Sequence, residues 1–267
     1  LLRVSNLKVS YPIRSTLLQR VIAENVAVND VSFEIRPGET LGLVGESGSG
    51  KSTIARAVIG LVKTSGGTIE FEGKDITGHS AKQLKAVRRD MQMVFQDPYA
   101  SLNPRLTVRD LIAEAWRVHD DVVPRQRWTS EAQDLLARVG LNPDHWDRYP
   151  HQFSGGQRQR LGIARALALR PKLIICDEPV SALDVSVQAQ VLNLLDELQD
   201  DLGLAYLFIS HDLSVVEHLC DRMMVLHRGV VAEEGPAGEI FDNPQADYTR
   251  ALLSAVPEVR PWADHSK

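Results

Sequence analysis

The sequence predicts an α/β core, preceded by an antiparallel β region and interrupted by a mostly helical subdomain. Three observations carry this. An apolar strand runs into a glycine-rich loop and then a helix between Thr40 and Thr53. Apolar strands alternate with helical patterns from Gly156 onward, which implies a largely parallel sheet with both faces covered. The N-terminal part alternates apolar and polar residues with a period of two. A chain of 267 residues can bury a full core as one large domain or a domain with a subdomain. Its 43% hydrophobic and 24% charged content is that of an ordinary globular protein. The formal net charge of −5 argues against non-specific nucleic-acid binding, which uses a basic face. No apolar run approaches the ~20 residues that span a bilayer, and the start lacks a signal-peptide layout. A soluble, cytoplasmic chain is therefore expected. It begins at Leu1 rather than Met, as a trimmed or excerpted sequence would.

In chain order, Leu7, Val9 and Tyr11 share one side of a first strand, and Val31, Phe33 and Ile35 one side of another. Pro37-Gly38 turns the chain into the strand before the glycine loop. Ile54, Val58, Ile59 and Leu61 mark the buried stripe of the following helix, which ends before Ser65-Gly66-Gly67 and a short strand from Thr68 to Phe71. Met91 to Gln96 reads as a strand broken by Asp97-Pro98. From there to about Arg148 the pattern is helical, with breaks at Asn103-Pro104, Pro124 and Asn142-Pro143. A helix from Gly156 to about Leu169 leads to the strand Leu173–Cys176. A helix carrying Val187, Val191, Leu194, Leu195 and Leu198 precedes the strand Leu204–Ile209. A hairpin around Arg228-Gly229 closes the sheet, and a small helical appendix follows Gly235. Cys176 and Cys220, in a strand and a helix-like run, read as buried small hydrophobes.

Gly45-Glu46-Ser47-Gly48-Ser49-Gly50-Lys51-Ser52-Thr53 has the spacing of a phosphate-binding loop. Glycines let backbone N–H groups approach phosphate oxygens, and the helix that begins at Lys51 presents free donors and its positive dipole end. Lys51 is the expected partner of β- and γ-phosphates, and the Ser52 hydroxyl the expected Mg²⁺ ligand. Leu173-Ile174-Ile175-Cys176-Asp177-Glu178 is an apolar strand ending in two carboxylates, at the sheet edge where α/β proteins place ligands. Asp177 fits the acidic Mg²⁺ partner and Glu178 a base for an attacking water. Ser154-Gly155-Gly156-Gln157 is a serine cap and two glycines at a helix start, a second potential anion site.

The ordered set Gly45 to Thr53, Gln96, Ser154-Gly155-Gly156-Gln157, Asp177-Glu178, Ser181-Ala182-Leu183-Asp184 and His211 resembles that of ABC-type ATPases, over about residues 1–235. The resemblance implies a P-loop, RecA-like core at 1–235, with the helical subdomain at about 97–165, and a C-terminal extension at 236–267. It implies ATP and Mg²⁺ as ligands. Glu178 would be the general base, His211 would contact the γ-phosphate, and Gln96 would touch Mg²⁺ and the attacking water. Ser154, Gly155, Gly156 and Gln157 belong to the segment that completes a partner's ATP site in a head-to-tail dimer, and Asp184 would connect the two sites. Tyr11 sits where an aromatic stacks on adenine, or else is a strand core residue. Phe153 replaces a leucine common in the family, an apolar exchange that should leave the cap intact.

Phe95-Gln96-Asp97-Pro98-Tyr99-Ala100-Ser101-Leu102-Asn103-Pro104-Arg105 and Tyr248-Thr249-Arg250-Ala251-Leu252-Leu253-Ser254-Ala255-Val256-Pro257 resemble segments of oligopeptide and dipeptide importer ATPases. Relatives with them also serve nickel, glutathione and other small solutes. Such a subunit would sit peripherally at the cytoplasmic face of the plasma (inner) membrane. It would work with two membrane-spanning permease subunits, through the surface between Gln96 and about Arg109. A second ABC ATPase would pair with it, as a heterodimer or within a tandem chain, and an extracytoplasmic solute-binding protein would act indirectly. The tail has no cysteine, so no iron–sulfur cluster is expected. An exporter ATPase, a soluble ABC protein acting on nucleic acid or the ribosome, and a binding-only module are the rival readings. The intact Glu178 and His211 oppose the last of these.

Overall fold

The computed structural model describes residues 1–14, 21–97 and 101–255. Positions 98–100 and 256–267, which include parts of the two importer-like segments, lie outside them. Two sheets organise the chain. The first is antiparallel, in the order β2-β1-β4-β5, from β1 (Leu2–Arg14), β2 (Val21–Ile35), β4 (Gly66–Phe71) and β5 (Lys74–Asp75). The second has the order β10-β9-β3-β8-β7-β6. Its strands β9 (Arg222–His227), β3 (Thr40–Val44), β8 (Ala205–Ile209), β7 (Leu173–Asp177) and β6 (Met91–Val94) pair in parallel, and β10 (Val230–Pro236) adds an antiparallel edge.

The central strands β3, β7 and β8 are buried along their whole length, as continuous apolar runs require when both faces are covered. Their alternation splits the interior in two. Leu41, Leu43, Leu173, Ile175 and Leu207 join one core with the antiparallel sheet and α1 (Lys51–Val58). Val44, Ile174, Cys176, Tyr206 and Phe208 join the other, under the helices. Those helices are α3 (Val108–Val118), α4 (Trp128–Arg138), α5 (Gly155–Leu167), α6 (Val185–Leu202) and α7 (Leu213–Leu219). Helix α2 (Leu84–Asp90) lies between β5 and β6.

Helix α3 starts where the Thr107 hydroxyl accepts the Asp110 N–H, and it buries Val108, Leu111, Ile112 and Trp116 at helical spacing. Trp116 Nε1 donates to the Ala168 carbonyl at 2.8 Å, which ties the helical insert to the end of α5. Burial raises both cysteine thiols well above their ordinary pKa, so Cys176 and Cys220 are inert packing groups. Several boundaries differ from the sequence expectation, two of them beside the glycine loop and Gln96. Helix α1 stops at Val58 because Gly60 turns left-handed at φ +70°, which leaves Leu61 52% exposed rather than on a buried stripe. Strand β6 ends at Val94, two residues before Gln96. After β10 the chain forms α8 (Ala237–Asp242) and α9 (Asp247–Ser254).

Candidate active site

Strand β3 delivers the glycine loop to the carboxyl end of the parallel sheet. Gly45 adopts φ +145°, and a Cβ there would lie 2.1 Å from the Leu226 carbonyl oxygen. A Cβ on Gly50, at φ +109°, would lie 2.5 Å from that of Ala27. Only glycine lets the loop thread between the β9–β10 hairpin and the antiparallel sheet. The Ser49 carbonyl accepts the Gly229 N–H at 2.9 Å, fixing the loop to the hairpin. Helix α1 then starts with neither a side-chain cap nor an acid in its first turn. Its orphan N–H groups and positive dipole end are left for an anion.

Gly48, Gly50, Lys51 and Ser52 line a cavity of about 440 Å³ that also touches Gln96, Glu178 and His211. Lys51 is 5% exposed. Its Nζ donates to the carbonyls of Gly45 at 2.7 Å and Glu46 at 2.9 Å. An ammonium carries three donors, so a third remains for a phosphate. Burial lowers the Lys51 pKa, opposed by the carboxylates of Glu178 and Asp177. Ser49 Oγ is buried with no partner among the described residues.

At the cavity edge the Ser52 hydroxyl donates to Asp177 Oδ1 at 2.8 Å. Burial raises the Asp177 carboxyl above the usual range, against the opposing Ser52 bond and Arg56. Among the described residues no cluster of three or more His, Cys, Asp or Glu side chains could hold a metal alone. A hydroxyl beside one carboxylate suits Mg²⁺, which takes most remaining ligands from phosphates and water.

Glu178 follows directly, in the left-handed region at φ +49°. A non-glycine residue there is strained by about 1–3 kcal/mol and persists only where the surroundings fix it. Here the Glu178 N–H donates to the Ile209 carbonyl at 3.0 Å, and the Ser181 hydroxyl to the Glu178 carbonyl at 3.1 Å. Its Oε2 accepts from Gln96 Nε2 at 3.0 Å and lies 3.1 Å from His211 Nδ1. The carboxylate is largely covered while His211 is more than half exposed.

The structure does not bring every expected residue to this cavity. Ser154 caps α5 in a closed capping box: its Oγ accepts the Gln157 N–H, and Gln157 Oε1 accepts the Ser154 N–H. Gly155 and Gly156 follow, and a Cβ on Gly156 would lie 2.2 Å from the Val187 side chain. Asp184 caps α6, accepting the Val187 N–H at 3.0 Å. Tyr11 is 39% exposed on β1, paired with Asn25, two positions along β2 from the cavity-lining Ala27. Neither Ala27 nor the left-handed turn at Glu178 had a signal in the sequence.

Residues 28–181 match the family described as ABC transporter. The chain is 55% identical over 261 residues to the oligopeptide transport ATP-binding protein AppF of Bacillus subtilis (strain 168), covering 97% of this chain and 79% of AppF. The chain belongs to the ABC transporter family, as an ATP-binding cassette. Residues 232–267 further match the C-terminal region of oligopeptide/dipeptide transporters. The glutathione import ATP-binding protein GsiA of Escherichia coli (strain K12) is 56% identical over 260 residues, 97% of this chain but only 42% of GsiA. Among solved structures, the ATP-binding cassette MJ0796, a dimer in a post-hydrolysis state with ADP and Pi, superposes with a TM-score of 0.78 at 27% identity, covering 89% of this chain and 99% of that one. The protein cbiO1 of Clostridium perfringens, part of the ABC transporter complex cbiONQ, superposes with a TM-score of 0.76 at 28% identity, covering 96% of this chain and 95% of that one.

Proposed function

We propose that this chain binds and hydrolyses ATP to power an importer of oligopeptides or dipeptides, working peripherally at the cytoplasmic face of the membrane. The observation that carries the reading is one cavity holding both an open phosphate loop and the Glu178–Gln96–His211 cluster. The match of residues 232–267 supports the peptide class. Glutathione, a tripeptide, is the second solute the relatives favour. We divide the chain into a cassette at 1–235, with its helical subdomain at about 97–165, and an extension at 236–267.

In this reading Gly45 to Thr53 cradle the phosphates and Lys51 offers its third donor to the β- and γ-phosphates. Ser52 and Asp177, with Gln96, hold Mg²⁺. When bound, the metal neutralises charge on the phosphate oxygens. Glu178 accepts a proton from the attacking water, with Gln96 and His211 holding its carboxylate in place. Tyr11 supplies an exposed ring for adenine. Ser154, Gly155, Gly156 and Gln157 complete the site of a second ATPase, with Asp184 linking the two.

The permease subunits need a seat. Beside Gln96, Phe95 helps line an open groove of about 380 Å³ with Ile59, Leu61 and Val118. Leu61 and Val118 are 52% and 53% exposed. A permease segment in this groove would touch the residue next to the one bonded to Glu178. No helix among the described residues is long and apolar enough to cross a membrane.

The test is an affinity capture of tagged Glu178→Gln with ATP from solubilised membranes of its host, read by mass spectrometry. Two multi-span proteins and a second ATPase are expected. Ribosomal or DNA-repair proteins without a membrane partner would overturn the importer reading.

A further inference from the structure

The C-terminal helix reaches back to the phosphate loop, 202 residues earlier in the chain. The Gly45 carbonyl, which accepts from Lys51 Nζ, shares one planar peptide unit with the Glu46 N–H. That N–H donates to Tyr248 Oη at 3.3 Å. The same peptide plane is thus held at both ends, by the lysine on the cavity side and by the tyrosine behind it. Gly45 gives this unit a rotational freedom that a side chain would remove. A fixed partner for the N–H restores the restraint.

Tyr248 is itself fixed. Its ring lies 3.9 Å, centroid to centroid, from that of His227, the residue after the Leu226 whose carbonyl crowds Gly45. Leu252 and Leu253 pack with it against the helical-side core. One turn earlier, the Glu233 carboxylate accepts the N–H groups of Gln245 at 2.7 Å and Ala246 at 3.0 Å. The hydroxyl therefore sits on a helix anchored by a carboxylate, a ring contact and apolar packing.

We propose that Tyr248 is a positioning residue for the phosphate-binding lysine: the appendix braces the Gly45–Glu46 peptide and, through its carbonyl, sets Lys51 for nucleotide. This rests on the loop being the nucleotide site. It gives the C-terminal region a task inside the ATPase cycle, beyond packing.

Tyr248→Phe in the full chain keeps the ring on His227 and removes only the hydroxyl. Loss of one hydrogen bond should weaken ATP binding about twofold to tenfold in titrations with a fluorescent ATP analogue. Amide exchange, followed by NMR without nucleotide, should accelerate at Glu46 and stay unchanged at Gln245 and Ala246. Unchanged ATP affinity, or unchanged exchange at Glu46, overturns the proposal. So does acceleration at Gln245 and Ala246, because the hydroxyl would then merely hold the tail down. Wild-type chain that binds no ATP would instead overturn the nucleotide reading, while the exchange measurement still reports on the brace.

Discussion

The glycine-rich starts of helices α1 and α5 are built in opposite ways. At α1 the residue before the helix is Gly50 in a left-handed conformation, with no side-chain cap and no acid in the first turn. At α5 the residue before the helix is Ser154 in an extended conformation, and Ser154 and Gln157 satisfy each other's N–H groups. The first start is incomplete by itself and faces a cavity with a buried cation. The second satisfies two of its own donors and has only its exposed edge to offer. A helix start left without a cap and facing a cavity with a buried lysine can receive a ligand of its own chain. One already capped can add contacts only to an anion that another surface brings.

The largest effects should fall on the open start and its carboxylates. Glu178→Gln removes the proposed base while keeping the shape, and turnover by the assembled complex should drop about 10²–10⁴-fold with ATP binding retained. Lys51→Ala should weaken nucleotide binding itself in equilibrium titrations. If Glu178→Gln hydrolyses ATP at the normal rate, Glu178 is not the base.

Ser154→Ala sharpens the contrast at the closed start. Losing the cap should cost about 1 kcal/mol of stability in urea unfolding. Turnover by the assembled complex should fall about tenfold or more, while ATP affinity of the isolated chain stays within about twofold. Equal damage by Ser154→Ala and Lys51→Ala to the isolated chain's affinity would erase the distinction between the two starts.

The difference between the two starts was partly legible in sequence. Ser154 as a cap before two glycines placed the start of α5 within a residue of where it lies. The apolar runs Leu173–Cys176 and Leu204–Ile209 read as buried parallel strands because both faces are covered. What stayed hidden depends on long-range packing. The left-handed Glu178 is held by Ile209 from a neighbouring strand, and Ala27 reaches the cavity only because the antiparallel sheet folds over the loop. The Tyr248 motif stood out in the sequence, yet no local pattern could place its hydroxyl on Glu46. Leu61 misread as a helix-stripe residue because the left-handed Gly60 ends the helical register before it.

A third helix start, at α9, tests the comparison at its gentlest. It too lacks a side-chain cap of its own, but here the chain itself supplies the anion, through Glu233 on β10. Burial pushes the Glu233 carboxyl up, but the Gln245 N–H, the Thr249 hydroxyl, the Ala246 N–H and nearby Arg250 together outweigh it and hold the pKa below the usual carboxylate range. A carboxyl depressed in the folded state contributes stability that is fully present above its unfolded pKa of about 4.3, and is lost as pH falls through the folded value. Wild-type Gln245 and Ala246 amides should therefore stay protected from pH 7 to about 5 and lose protection only below about 4. Glu233→Gln should loosen both amides already at pH 7, at a cost of about 1 kcal/mol or less, and shift little else. If wild-type protection instead fades between pH 7 and 5, the carboxylate is not what satisfies this start. An uncapped helix N-terminus would then be no sign, at α1 or elsewhere in this chain, of an anion held there.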